Sequence, residues 1–214
     1  MKFKCIVFDF DGTLADTHVG IVRTFQETFR QMGLPVLSEE EISATIGLTL
    51  KDGFHAAVKN LSEAQADEAA AIYRKIFPGI AIPCITVFPG IIEVLGKLKD
   101  RGIRMAVATS RSHQSLGTIA ANIGVDSFFE VMYGAEDVVN HKPAPDMVML
   151  ALDFFKMTPD EVLVVGDANY DLLMGQGAGC RVCGVTWGNQ SREKLASVNP
   201  DYIIDDIHQL LDII

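Results

Sequence analysis

The sequence predicts a doubly wound α/β core interrupted by an all-helical insertion, and three observations point there. Six short apolar runs alternate with amphipathic segments of helical period, the runs are apolar throughout, and polar clusters follow several of them. Strands that lack polar alternation are buried on both faces, which is the situation of a parallel sheet covered by helices.

The first run, Lys4 to Phe8, ends in "DFDGT". More than ninety residues separate it from the next clear run, Ile103 to Ala108, whereas a crossover and its helix need only about a dozen. The gap therefore predicts an inserted unit over residues 17–82, with residues 1–16 and 83–214 forming the core. Within the insertion, Ile21, Val22, Phe25, Phe29 and Met32 make one helical stripe that Gly33 and Pro35 end. "SEEE" at 38 and "SEAQ" at 62 have the form of capping boxes opening further helices. No β-rich stretch, repeat or low-complexity segment is visible there. Asp16-Thr17-His18 is the outgoing linker and "AIPCITVFPG", with Pro83 and Pro89, the returning one. A module hung on two linkers beside a site can open and close over it.

After the insertion the rhythm is regular. "PGIIEVLGKLKDRG" places Ile91, Ile92, Leu95 and Leu98 at helical spacing, with Gly102 as the stop. Strand Ile103–Ala108 follows, then the helical "SHQSLGTIAANIG", strand Phe129–Tyr133 and the helical "PDMVMLALDFF". Strands Val162–Val165, Val182–Thr186 and Tyr202–Ile204 complete the set. The Met and Phe positions of "DMVMLALDFF" read as core.

Composition narrows the functional classes. A formal net charge of −10 over 214 residues argues against nucleic acid or an anionic membrane as partner, because an acidic body repels both. An anionic substrate must then be caught by a local positive site. No uncharged apolar stretch of about 18 residues occurs, and the start of the chain has no signal-peptide form, so the cytoplasm is the expected compartment. Cys180 and Cys183 match C-x-x-C spacing, but "RVCGVTW" reads as a strand, where residues three apart face opposite ways. With only Cys5 and Cys84 besides, neither a disulfide scaffold nor a zinc site is expected. The histidines are dispersed without ligand spacing; His18, near the first linker, is the one candidate for a substrate contact.

The polar clusters converge. "DFDGT", "TSR" (Thr109, Ser110, Arg111) and "GDANYD" (166–171) each follow a strand, and Lys142 in "NHKPAPD" lies soon after another. In open parallel sheets ligands bind beyond the carboxyl ends of the strands. Asp9, Asp11 and Asp167 would bring carboxylates that cannot all ionise comfortably without a cation, and hard oxygen ligands with open positions suit Mg²⁺. Lys142 adds a fixed positive charge. Backbone N–H groups at Gly12 and Thr13, with the hydroxyls of Thr109 and Ser110, are expected to face phosphate oxygens. The set suits phosphoryl transfer.

"DFDGTLAD", "ATSR", "HKPAPD" and "VGDANYD", in that order over nearly the whole chain, resemble the four motifs of the haloacid dehalogenase-like (HAD) hydrolase superfamily. The insertion after the first motif, with "TIGLTLKDGF" inside it, resembles the cap of the phosphoglycolate phosphatase and β-phosphoglucomutase-like branch. The tail from "GVTWGNQ" onward is similar to the same branch. The resemblance implies a Rossmann-like core, Asp9 as a nucleophile that forms an aspartyl-phosphate, and Asp11 as general acid and then base. It further implies Mg²⁺ held by Asp9, Asp167 and the backbone carbonyl of Asp11, with Asp171 at the metal directly or through water. Thr109 would bond a phosphate oxygen and Lys142 would bridge nucleophile and phosphate.

Several residues keep two readings at this stage. Asp171 either braces the following helix or joins the metal. Asp16 either lines the entrance or caps the helix near His18. Ser110 and Arg111 either contact substrate or start a helix, and Lys51 either reaches a substrate anion or is an exposed helix lysine. The leading expectation is a phosphatase of a small phosphorylated metabolite, phosphoglycolate phosphatase-like, with inorganic pyrophosphatase and β-phosphoglucomutase as alternatives within the same chemistry. A haloacid dehalogenase would have no use for Asp11 or a metal, and a non-catalytic phosphate-binding module would be expected to lose the nucleophile or the lysine. Oligomeric state is not encoded in any feature read here.

Overall fold

A computed structural model describes residues 3–214, so Met1 and Lys2 of the expected core segment lie outside the described residues. In chain order the elements are β1 (Cys5–Phe8), β2 (Ala15–Asp16), α1 (His18–Gln31), α2 (Glu39–Ser43), α3 (Leu50–Ala57) and α4 (Glu63–Ile80). There follow β3 (Thr86–Val87), α5 (Ile91–Asp100), β4 (Arg104–Ala108), α6 (His113–Asn122), β5 (Val131–Tyr133) and α7 (Asp146–Phe155). The chain closes with β6 (Val162–Gly166), α8 (Asn169–Gly177), β7 (Arg181–Val185), α9 (Arg192–Ala196), β8 (Tyr202–Ile204) and α10 (Leu210–Ile213).

Six strands form one parallel sheet in the order β5-β4-β1-β6-β7-β8. Val7 of β1 sits opposite Ala106 of β4 and Val164 of β6. Alternation along each strand sends side chains to two apolar layers. Ile6, Phe8, Met105, Val107, Leu163 and Val165 join one layer with Leu98 of α5 and Leu116 of α6. Cys5, Val7, Ala106, Ala108, Val162 and Val164 join the other with Met147 of α7 and Leu172 of α8. Both faces are thus covered by helices, as the uniformly apolar strands require. The chain runs outward from β1 through β4 to β5 and then returns to β6 on the far side of β1. That places the switch in winding direction between β1 and β6, where their carboxyl ends leave a crevice.

The four helices α1–α4 occupy the long gap. Both expected capping boxes are present, Ser38 with Glu41 and Ser62 with Gln65, each side chain accepting from the N3 backbone. Gly33 adopts a left-handed conformation (φ 66°) where α1 ends. The interior of this helical unit is aromatic: Phe54 is fully buried, with its ring centroid 4.5 Å from Phe25, 5.8 Å from Phe29 and 6.1 Å from Tyr73. Gly20 of α1 lets that helix approach Ala81 so closely that a Cβ would come within 2.9 Å of the Ala81 Cα.

Three details differ from the sequence reading. Asp16 does not cap α1: it belongs to β2, which pairs antiparallel with β3 and ties the two linkers together, and Thr17 takes the preceding-residue position instead. The apolar stripe of α5 runs through Val94, buried, while Ile92 is 41% exposed. The third expected core strand begins at Val131 because Asp126–Phe128 form a 3₁₀ turn. Cys180 and Cys183 fall in opposite apolar layers, and burial pushes both thiols up to about 12.

Phe54→Ala removes the centre of the aromatic cluster and is expected to cost about 3–5 kcal/mol, read as a lowered urea midpoint. An unchanged midpoint would show that the helical unit does not depend on this packing.

Candidate active site

Four strand ends build the site. Asp9 and Asp11 follow β1, Thr109 to Arg111 follow β4, Asp167 follows β6 and Asn189 follows β7. Lys142 arrives from the loop between β5 and α7, and Asp171 from the first turn of α8. Asp9, Thr109, Lys142, Asp167 and Asp171 are all buried.

The centre of the arrangement is the Lys142 ammonium, which donates to Asp9 Oδ1 at 2.5 Å and to Asp171 Oδ1 at 2.7 Å. The second Asp171 oxygen accepts from the Ala168 N–H at 3.0 Å, so this one carboxylate both braces the start of α8 and fixes the lysine. Asp167 is held from the other side. Its Oδ2 accepts from the Asn189 backbone N–H at 2.6 Å and side-chain amide at 2.8 Å, and its Oδ1 lies 3.3 Å from the Thr13 hydroxyl. Gly12 and Gly188 lie so close that a Cβ on either would collide with the Asp167 carboxylate.

Oxygens of Asp9, Asp167 and Asp171 come within 4.8 Å of one another. Two carboxylates at such a distance repel by on the order of 3 kcal/mol at an effective dielectric near 20. Burial, reinforced by Asp171, pushes Asp167 up to about 7. Burial and the Asp171 charge likewise hold Asp9 well above the usual carboxylate range, against the opposing pull of Lys142. Burial disfavours the Lys142 charge, yet Asp171 and Asp9 together more than offset it and keep the ammonium above its ordinary value. Three acids facing one ammonium leave an excess of negative charge in a dry place. An all-oxygen donor set with that excess fits a hard divalent cation such as Mg²⁺.

Asp11, two residues from Asp9, faces different partners. Its carboxylate takes three hydrogen bonds of 2.6–2.9 Å from the Arg111 guanidinium and one of 2.6 Å from the Thr17 hydroxyl. Its side chain is not part of the acidic cluster with Asp9, Asp167 and Asp171. Arg111 also donates to Ser115 at 2.9 Å and lies over the Phe77 ring, 5.0 Å from its centroid.

A cavity of about 480 Å³ opens between the helical insertion and the strand ends, lined among others by Asp9, Asp11, Thr109, Ser110 and Arg111. The other candidates are placed as follows. The Ser110 hydroxyl donates to the Gly47 carbonyl at 2.8 Å, latching the loop before α3 over the site. The start of α6 is capped by Ser112 rather than by Ser110 or Arg111. Gly12 does not present its N–H to a phosphate: that group closes the turn by donating to Ala15 at 2.9 Å. Thr13 is fully buried beneath Asp167, and neither Gly12 nor Thr13 lines the cavity. Lys51 lines the cavity but its ammonium lies 2.8 Å from Glu63 and 2.7 Å from Asp67. His18 lies away from the cavity, its Nε2 2.7 Å from the Ser43 hydroxyl, tying α1 to α2.

Sequence reasoning missed Asn189 and Thr17. "TWGNQ" stands at the carboxyl end of β7 and so on the ligand edge, which was the available signal for Asn189. Thr17 carried none, because its partner Asp11 is met only through the turn back along β2.

Comparison with known proteins places the chain in a family. A family profile described as haloacid dehalogenase-like hydrolase matches residues 6–185. The chain belongs to the haloacid dehalogenase-like hydrolase family. It is 34% identical over 209 residues to the Dickeya dadantii protein named probable phosphatase IndB, covering 96% of this chain and 91% of that one. It is 30% identical over 214 residues to Oceanobacillus iheyensis pyrophosphatase PpaX, covering 100% and 98%. The structure of a predicted phosphoglycolate phosphatase from Haemophilus somnus superposes with a TM-score of 0.92 at 27% identity, over 100% and 98% of the two chains. CbbY from Rhodobacter sphaeroides, solved in complex with phosphate, superposes with a TM-score of 0.83 at 25% identity, over 97% and 96%. This HAD chain is accordingly an enzyme of the hydrolase type with phosphatase-named relatives, and among its described residues no helix is long and apolar enough to cross a membrane.

The raised Asp167 and Asp9 set a sign for pH dependence. Carboxyls held above their unfolded value stabilise the metal-free protein at low pH, and that contribution is lost as pH rises toward and through about 7 for Asp167. A bound cation reverses this by favouring the ionised acids. Saturating Mg²⁺ is therefore expected to raise the melting temperature by roughly 5–10 °C near pH 8 and by distinctly less near pH 5.5. Scanning fluorimetry with Mg²⁺ or chelator decides it, and equal curves at both pH values would contradict the cation assignment.

Proposed function

We propose that this chain is a Mg²⁺-dependent phosphatase acting in the cytoplasm on a small phosphorylated metabolite through an aspartyl-phosphate, with residues 17–82 serving as a cap over the site. The observation that carries the reading is Lys142 bridging Asp9 and Asp171 beside Asp167 at the switch point of the sheet.

In this reading an Asp9 oxygen attacks phosphorus while the bond to the leaving oxygen breaks, and Asp11 delivers the proton that oxygen needs. Water then attacks the phosphorus of the aspartyl-phosphate, Asp11 takes its proton, and release of inorganic phosphate restores the Asp9 carboxylate. Lys142 orients Asp9 and offsets phosphate charge, and the Thr109 hydroxyl bonds a phosphate oxygen. Asp9, Asp167 and Asp171, with the Asp11 backbone carbonyl, would hold Mg²⁺, which supplies neutralisation of the phosphate charge. Arg111 and Ser110 keep the cap wall and the catalytic edge in register through Phe77 and Gly47.

Phosphoglycolate phosphatase-like, pyrophosphatase and mutase activities share this chemistry. Phosphate release from 2-phosphoglycolate, pyrophosphate, β-glucose 1-phosphate and p-nitrophenyl phosphate, with Mg²⁺ and with chelator, tests the reading. Asp9→Asn is expected to lower turnover by about a thousandfold or more; turnover that survives it would sink the nucleophile assignment. Asp11→Asn is expected to cost roughly a hundredfold to ten-thousandfold, with the larger loss on alkyl phosphates, whose leaving oxygens need the proton most. A uniform loss on p-nitrophenyl and alkyl phosphates would argue that Asp11 does not protonate the leaving group.

A further inference from the structure

We infer that the leaving group accepted at this site is neutral and carries an apolar body of about ring size, so that the substrate is a phosphate monoester of such an alcohol rather than pyrophosphate or a phosphorylated short acid. The inference rests on the phosphatase reading above and adds the substrate class to it.

The first support is room. A cavity of about 480 Å³ is in the range that encloses drug-sized molecules, and a phosphate with a two-carbon acid would leave most of it unfilled. The second is the character of the wall away from the acids. Ile21, Phe25, Leu48, Leu50, Tyr73 and Phe77 all face it. Leu48 is half-buried yet does not pack into the apolar core, so its side chain is available to a ligand. The Ser110–Gly47 hydrogen bond holds its loop directly over the strand ends.

The third support is charge. A second anionic group, such as the carboxylate of 2-phosphoglycolate or the distal phosphate of pyrophosphate, would need a cation beyond Lys142 and the proposed metal, on the wall away from the acids. Lys51 is already balanced by Glu63 and Asp67, and Arg111 is held by Asp11. Glu136 adds a negative charge to the lining, Arg74 stands exposed in it, and the half-buried His141 imidazole lines it as well. With Lys51 and Arg111 already paired, a second anion placed against the apolar wall is desolvated with no unpaired lysine or arginine among the described residues inside the rim to receive it, which disfavours it. This differs from what the PpaX name says of those relatives.

The reaction is the hydrolysis already described, with the alcohol as leaving group and water as the co-reactant. The test compares kcat/KM for 2-phenylethyl phosphate and ethyl phosphate, whose leaving alcohols are of similar basicity, alongside 2-phosphoglycolate and pyrophosphate, each with Mg²⁺ and with Asp9→Asn as control. A preference of about tenfold to a hundredfold for the phenylethyl ester over the other three is expected. Leu48→Asn, checked for folding by circular dichroism, is expected to reduce the phenylethyl-to-ethyl ratio by several-fold. Asp9-dependent hydrolysis that is fastest on 2-phosphoglycolate or pyrophosphate, or indifferent to the phenyl ring, would overturn the inference and leave the phosphatase reading standing. Absence of release from all four by folded, Mg²⁺-loaded protein would overturn both. A ratio unmoved by Leu48→Asn would overturn the assignment of the apolar wall as the leaving-group subsite.

Discussion

The site depends on a single buried ammonium. Lys142 is 1% exposed at its side chain and pairs with Asp9 and Asp171, which are themselves 7% and 2% exposed. Removing charges from water costs several kcal/mol per ion, and a buried pair is tolerated only when each remaining polar atom finds a partner. The surroundings meet that condition one oxygen at a time. Asp171 gives its second oxygen to the Ala168 N–H, and Asp167 gives its own to Asn189 and Thr13. Glycines at 12, 166 and 188 stand where any Cβ would strike an acid. Pairing on both sides of β1 fixes the position of Asp9, and the loops after β5 and β7 bring Lys142 and Asn189 to the acids.

The same edge gives two aspartates, two residues apart, different tasks. Asp9 looks toward Lys142 and the acidic cluster, while Asp11 looks toward Arg111 and Thr17. The turn at Gly12, with its φ of 84°, carries the chain sharply away after Asp11 and back along β2. The proposed division between a nucleophile and a proton carrier needs their surroundings to differ, and they do: Asp9 meets Lys142 and two acids, Asp11 meets Arg111 and Thr17. Because Arg111 also lies on Phe77 of α4 and Ser110 holds Gly47, Asp11 is connected through Arg111 to the helical insertion.

What the sequence made legible follows from this architecture. The six core strands could be read because they are apolar on both faces, and Asp9, Asp11 and Asp167 as candidates because each stands just past a strand, while Lys142 and Asp171 stand on the loop and helix that follow one. Ser38 and Ser62 were readable as caps because their partners lie three residues away. Local pattern says least where a group's partner is set by the fold. The Gly12 N–H closes a turn onto Ala15, Thr13 lies buried against Asp167, and Lys51, which kept two readings, pairs with acids from α4. Asn189 reaches Asp167 across 22 residues of sequence, and its place just past β7 is the one local mark it carries.

That division explains why the phosphate end of the reaction is easier to read than the leaving-group end. Phosphate is handled by short motifs whose geometry the sheet imposes, so residue type and position suffice. The other end is handled by surfaces from α1, α4 and the loop before α3, whose character emerges only after charges have paired. Lys51 read alone suggests an anion site; beside Glu63 and Asp67 its charge is more than offset. On the proposed reading, selectivity at the leaving-group end would depend on how the helical insertion pairs its own charges, and a change to Glu63 or Asp67 would release the Lys51 ammonium in the cavity lining without touching any group proposed to meet phosphorus.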